Sequence, residues 1–433
     1  METIVIVGGG AGGLELATRL GDSLGKRARA RIVLVDRYPT HFWKPLLHAV
    51  ASGKLDPQVH QVEYSAQAAQ HGFQFICGEV LRVDRDSRTI EVGPYRGDDG
   101  FEVLPRRTLQ YDKLVLACGA VTNFFNIPGA ADHSLTLDSV QDAEFFRKRF
   151  LASCMKGSAR RMAGHADAKV NIVIVGGGAT GVELAAELCH TVRTLAQYNV
   201  HALDPVHDVR IRIIERSERL LPHLNPRLSG RAARYLRRLG IDVCTDTTVA
   251  RVDSDAVEDA AGTRHPSDIT VWAAGVEAPA ICATLGLPVN RLKQIVVTPQ
   301  LRTVADQRIY ALGDCSNYVC PQNGAVAPPR AQVAHQQALY LAELLAHPQP
   351  ENLPNFQYRD YGSLVSLGPF GAIGVLIGGQ QKREMLVGGM AARVLYGLMY
   401  QRHILSLHGF LRMAAQSLAH WIRSKVTPPV KLH

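Results

Sequence analysis

Along this chain, short unbroken runs of apolar residues give way to helical spacings and back again in a repeating order. Ile4-Val5-Ile6-Val7 has the pattern of a strand buried on both faces. After Gly8-Gly9-Gly10-Ala11-Gly12-Gly13, Leu14, Leu16, Ala17 and Leu20 fall on the inner face of a helix. A second buried run, Ile32 to Val35, ends at Asp36. Alternating runs at Phe73–Cys77, Val80–Val83 and Thr89–Val92 predict half-buried strands, and Tyr111 to Ala120 predicts a buried strand that ends in small residues. The pattern is helical from Leu137 through about Met162, and a polar connector then reaches Ala168.

The opening is then repeated. Val170 to Val175 predicts a strand, Gly176 to Gly181 a glycine turn, Val182 to Ala196 a helix, and Val209 to Ile214 a strand ending at Glu215. Val271-Trp272-Ala273-Ala274-Gly275 repeats the small-residue strand end at Ala117 and Gly119. Ile309 to Asp314 is a further strand, followed by a helix opening near Pro328-Pro329. Leu364 to Gly379 is the most apolar run, but Gly368, Pro369, Gly371, Gly374 and Gly378 interrupt it, which predicts buried strands and a turn. No stretch of about 18 uninterrupted apolar residues predicts a membrane span.

Gly8, Gly10 and Gly13 occupy G-x-G-x-x-G positions, where a tight turn, the approach of a pyrophosphate and close helix–strand packing each require a small residue. Gly176, Gly178 and Gly181 repeat the motif. Each copy leads to an acid after the second strand, where a carboxylate can accept two ribose hydroxyls. A duplicated unit of this kind is much more specific than one copy, and it predicts two bound dinucleotides. The expected fold is α/β, with two Rossmann-like domains and a C-terminal membrane-associating segment. The expected boundaries are 1–135 with 290–350 for the first domain, 136–289 for the second, and 351–433 for the C-terminal region.

The net charge of +9 is concentrated late: from Tyr361 onward, eight Lys or Arg stand against Glu384 alone. Such an end suits an anionic surface, membrane or nucleic acid. Leu407, Phe410, Leu411, Ala414, Ala415, Leu418, Trp421 and Ile422 share one face of a helical wheel, with His408, Arg412, Gln416, His420 and Arg423 opposite. Arg without acidic partners on the polar face, and Trp421 on the apolar one, point to a helix lying on an anionic bilayer. Strand one begins almost at Met1, which leaves no room for a secretory signal, so a cytoplasmic location is expected. The eight cysteines show no C-x-x-C and fit reduced thiols. Cys315 and Cys320 have the spacing of a flavin-reductase redox disulfide, but that pair belongs near the first glycine turn, where residues 40 to 48 contain no Cys. His41, His48 and His335 lack metal-ligand spacing, so no metal is expected.

These residues resemble the two-dinucleotide-binding flavoproteins and, within them, the bacterial type II (alternative) NADH:quinone oxidoreductases, over essentially the whole chain. The most specific parts are the loop Trp43-Lys44-Pro45-Leu46-Leu47-His48, the turn Gly178 to Glu183, and Ala331-Gln332 with Gln336. The resemblance implies non-covalent FAD, NADH as substrate, and electron transfer to a membrane quinone without proton pumping. The residues implied to bind the nucleotides are Gly8, Gly10, Gly12, Gly13, Asp36, Lys44, Ala117, Gly119, Gly176, Gly178, Gly181, Glu183, Glu215, Ala274, Gly275, Gly313, Asp314, Ala331 and Gln332. Asp314 is implied to reach the ribityl chain of FAD. Gln332 and Gln336 are implied to line the quinone site, and Glu183 to relay a proton. The expected partners are a membrane quinone and an anionic bilayer surface at the cytoplasmic face of the inner (plasma) membrane; no nucleic acid is expected, and a homodimer is left open. The alternatives are a soluble NADH-dependent reductase of a ferredoxin or rubredoxin, and an FAD-containing interaction protein.

Overall fold

The structure, a computed structural model, describes residues 1–97, 99–165, 169–200, 203–349, 353–378, 383–426 and 430. Lys382 and Lys431 lie outside the described residues, as do the side chains of Arg383, Gln416, His420, Trp421, Arg423 and Lys425. Two compact units are present.

The first unit comprises Met1–Trp43, His60–Val121 and Val276–Asp360. Its centre is a five-stranded sheet in the order Ile309–Ala311, Lys113–Leu116, Glu2–Val7, Ala30–Asp36, Gln74–Cys77. Every pairing in it is parallel. Ile4, Val5 and Ile6 are fully buried, as expected of a central strand covered on both faces. Strand order reverses beside Glu2–Val7, the switch point at which open α/β sheets bind ligands. Helices Ala11–Leu20 and Ala331–Ala346 pack against each other. Gly12 makes this approach feasible, since a side chain there would meet the Ala334 carbonyl oxygen at 2.9 Å. Val80–Asp84, Thr89–Val92 and Arg107–Gln110 form a three-stranded antiparallel sheet.

The second unit comprises Lys44–Val59, Thr122–Gly275 and Tyr361–His433. Its parallel sheet runs in the order Ser134–Leu135, Ile269–Trp272, Val170–Val175, Val209–Ile214, Asp242–Cys244, a second version of the first unit's sheet. Helix Val140–Met162 begins with a reciprocal capping box between Ser139 and Asp142. The second glycine turn leads into helix Ala179–Gln197. Two segments distant in sequence pack on this unit. The short helix Leu47–Ala51 lies against Val140–Met162 and Ala179–Gln197, and the C-terminal strand Gly362–Ser366 also packs on Ala179–Gln197. The chain from residue 351, expected as a region by itself, therefore joins the second unit from Tyr361.

That region contains the predicted strands, Gly362–Ser366 and Ala372–Gly378, paired antiparallel, with Arg383–Gly388 as a third. A helical stretch, Gly389–Val426, follows and is broken at Gly409 (φ 74°, ψ 175°). The break overturns the single wheel expected for the tail. Leu407, before it, is buried, while Phe410, Leu411, Leu418 and Ile422, after it, are exposed. No helix among the described residues is long and apolar enough to cross a membrane.

Candidate functional site

The two glycine turns are built alike. Gly8 (φ 101°) and Gly176 (φ 112°) each turn the chain away from the central strand in a conformation that favours glycine. Their N–H groups bond back to the neighbouring strand, Gly8 to the Val35 carbonyl and Gly176 to the Ile214 carbonyl, both at 2.8 Å. A side chain at Gly13 would strike the Gly8 carbonyl oxygen, and one at Gly181 the Gly176 oxygen, so helix and strand can close only on glycine. At Gly10 and Gly178 the outward direction is open space within 4 Å. Both residues cap their helix without a side-chain bond, which leaves first-turn N–H groups facing outward for an anion.

The acids are placed by the same device in both units. Asp36 Oδ2 accepts from Gly9 N at 2.6 Å and Oδ1 from Tyr38 N at 2.8 Å. Glu215 Oε2 accepts from Gly177 N at 2.6 Å and Oε1 from Ser217 N at 2.7 Å. Each carboxyl group is thus held in orientation, with lone pairs left over for ribose hydroxyls. Ala117 and Ala273 back the turns, lying where a side chain at Gly8 or Gly176 would go. Gly119 (φ 68°) and Gly275 (φ 73°) end the two matching strands, and the Ala274 carbonyl accepts from Trp272 Nε1 at 3.0 Å.

In the first unit, Gly313–Cys315 forms a single helical turn, with Asp314 in it, and Gly313 N donates to Gln337 Oε1 at 2.7 Å. Ala331 opens the following helix, which carries Gln332 and Gln336. Gln332 Oε1 accepts from Tyr358 Oη at 3.1 Å. The Gln336 amide is engaged at both ends with the Arg359 backbone, donating at 2.8 Å and accepting at 3.0 Å. It therefore fixes the segment that presents Tyr358 to Gln332. Cys315 and Cys320 are both free thiols, Cys315 donating to backbone carbonyls and Cys320 to Gln322 Oε1.

In the second unit, Glu183 is buried near the start of helix Ala179–Gln197. Its Oε1 accepts from Ser366 N at 2.9 Å, its Oε2 lies 3.3 Å from His48 Nδ1, and Tyr396 hydrogen-bonds to it. Burial pushes its carboxyl above the usual range, against the downward pull of these three partners. Lys44, exposed, opens the segment that delivers His48. No cluster of His, Cys, Asp and Glu among the described residues is arranged to hold a metal ion.

The profile of the pyridine nucleotide-disulphide oxidoreductase family matches residues 2–338. The chain is 38% identical to the type II NADH:quinone oxidoreductase of Haemophilus influenzae, with 100% of both chains covered. It belongs to that family. It is also 30% identical to the demethylphylloquinone reductase of Synechocystis, over 86% of this chain and 85% of the relative. Among solved structures, NDH2 from Plasmodium falciparum in complex with NADH superposes with a TM-score of 0.84 at 21% identity, covering 99% of this chain and 100% of the other.

The family is a flavoprotein family, and both cradles fit its nucleotides: open glycine positions, outward N–H groups and an oriented acid occur twice. The sequence reading missed the residues that brace these sites. Tyr64 Oη donates to the Gly9 carbonyl at 2.7 Å, and His41 Nδ1 lies 2.9 Å from the same oxygen. Glu15, fully buried, pairs with His335 Nδ1 at 2.6 Å and with Arg19 at 3.0 Å. Tyr396 reaches Glu183 from 213 residues further along the chain. The signals that could have found the first of these were a Tyr and a His facing a triple glycine, and spacing alone does not reveal that.

Proposed function

We propose that this protein oxidises NADH and passes the electrons through FAD to a membrane quinone without pumping protons. The duplicated acid-anchored glycine cradle carries the reading, and the full-length relative of that activity supports it. FAD, when bound, supplies the hydride and two-electron chemistry. The chain's residues bind, orient and shield. Asp36 and the first glycine turn hold the adenosine half of FAD, and Asp314 serves its ribityl chain. Glu215 and the second turn hold NADH and discriminate against the 2′-phosphate of NADPH. Gln332 lines the quinone site, with Gln336 holding the segment opposite it, and Glu183 relays a proton. The first unit is thus the FAD-binding domain and the second the NADH-binding domain. The exposed apolar residues after Gly409 and the late basic charge support attachment to an anionic bilayer at the cytoplasmic face, in a monomer or homodimer.

Purified protein tests this directly. NADH should bleach the flavin anaerobically, and a short-chain quinone should restore it. Bleaching without restoration by quinone, but with restoration by a ferredoxin or rubredoxin, would favour the soluble reductase.

A further inference from the structure

Oxidising NADH with a quinone consumes a proton: NADH, H⁺ and quinone become NAD⁺ and quinol. The hydride brings two electrons and one hydrogen. The second O–H bond of the quinol is made with a proton from water, which needs a way in. We infer that Glu187 and Tyr396 form the intake for this proton, with Lys54 at the outer end and Glu183 at the inner end. The inference rests on the reading that Glu183 serves the quinone half-reaction.

All of these groups lie in the second unit. Glu183 and Glu187 stand four apart on helix Ala179–Gln197, which brings both to one face with Cβ atoms about 5–6 Å apart. Glu187 is 1% exposed. Its Oε1 accepts from Lys54 Nζ at 2.6 Å, and the Lys54 side chain is 35% exposed, so this end meets solvent. Its Oε2 is buried and without a hydrogen-bond partner among the described residues. A buried carboxylate oxygen left without a donor is costly, and a structural ion pair with Lys54 does not require it. Such an oxygen is an acceptor open to a donor.

Tyr396 stands beside this pair and is bonded to Glu183. Its phenol, raised well above its ordinary range by burial, hydrogen-bonds Glu183 and feels the charge of Glu187 as well. A phenol both donates and accepts, so it can pass a proton on without ionising. The other charged or titratable groups facing this cluster are His48, against Glu183, His190 and Tyr235, near Glu187, and Arg193 and Arg393, near His190. Arg393 is tied to the Pro369 carbonyl. Tyr396 comes from the C-terminal helical stretch, before the break at Gly409. That stretch therefore supplies a relay group as well as its exposed apolar surface.

The test uses the full-length, FAD-loaded enzyme. Tyr396→Phe and Glu187→Gln should each slow flavin reoxidation by a short-chain quinone roughly 10- to 100-fold, with an enlarged solvent deuterium isotope effect. Full flavin content establishes that each variant is folded. A truncation after Ser406, which keeps Tyr396, should reoxidise normally with the same quinone. An independent readout is the infrared carboxyl band of Glu183, titrated without substrate and assigned by its loss in Glu183→Gln. Tyr396→Phe removes a donor to the carboxylate and should move the midpoint up, whereas Glu187→Gln removes a nearby negative charge and should move it down. The opposed shifts establish that both groups face Glu183, and the enlarged solvent isotope effect on reoxidation is the readout that a merely structural role would not move. Reoxidation within about twofold of wild type in both folded variants, or midpoints that do not move, overturns the route. A wild-type protein that passes no electrons from NADH to quinone overturns instead the reading on which it rests.

Discussion

Glu215→Gln separates what the second acid does for the protein from what it does for the nucleotide. In the wild type its two oxygens accept from Gly177 N and Ser217 N at 2.6 and 2.7 Å. A carboxamide can satisfy only one of these donors and turns an N–H₂ toward the other. Leaving that donor unsatisfied costs about 1–3 kcal/mol, felt by the turn and read as lowered stability. The ribose hydroxyls also lose a charged acceptor, worth about 1.5–3 kcal/mol. At about 1.4 kcal/mol per tenfold, kcat/KM for NADH should fall roughly 10- to 150-fold. NADPH should fall less or improve, because the charge opposing its 2′-phosphate is gone while Arg216 and Arg219 remain exposed nearby. The assay is kcat/KM for both nucleotides at fixed quinone, with flavin content as control. A wild type that uses both equally, or a variant whose NADH-to-NADPH ratio is unchanged, would refute the placement of Glu215 against the ribose.

The other expectations follow the same division. Asp36→Ala should lower FAD occupancy, and denaturing the wild type should release all its flavin through a filter; retained colour would reveal a covalent bond. Gln332→Phe should slow reoxidation by quinone while leaving flavin reduction by NADH nearly unchanged, so equal damage to both half-reactions in stopped flow would mark the residue as structural. Truncation after Ser406 should abolish flotation with anionic liposomes while retaining FAD, and loss of FAD or aggregation would point to a core or dimer helix instead. Glu183 binds its proton more tightly folded than unfolded, so it lowers stability as pH rises from the ordinary Glu range through its raised value. Glu183→Gln should flatten that part of a Tm-against-pH curve, and an unchanged slope would count against its burial.

Both sheets and both glycine turns were legible because their constraints are local. Gly13 must be small on account of the Gly8 oxygen five residues back, and that demand is written in one motif. Asp36 and Glu215 were legible for the same reason, since each closes the strand that follows its glycine turn and helix. The surroundings of Glu183 were not. His48 and Ser366 meet it from segments 135 and 183 residues away, and nothing in either segment's own pattern names its partner. The different surroundings of Gln332 and Gln336 were not legible either: two glutamines four apart look equivalent on a wheel, yet Gln336 is tied at both ends to Arg359 and Gln332 bonds Tyr358. The tail wheel failed at Gly409 because a change in the sign of φ at one glycine resets the phase and leaves no mark on hydrophobic spacing.

That glycine also has a mechanical meaning. A continuous helix is a stiff rod, and a twist at one end arrives at the other through its unbroken ladder of hydrogen bonds. At Gly409 the ladder stops at a single residue without a side chain. Across that joint Ser417 Oγ donates to Gln401 Oε1 at 2.9 Å, so a load on the outer segment reaches the inner one, with Tyr396 and its contact to Glu183, through a side-chain bond instead of the helix ladder.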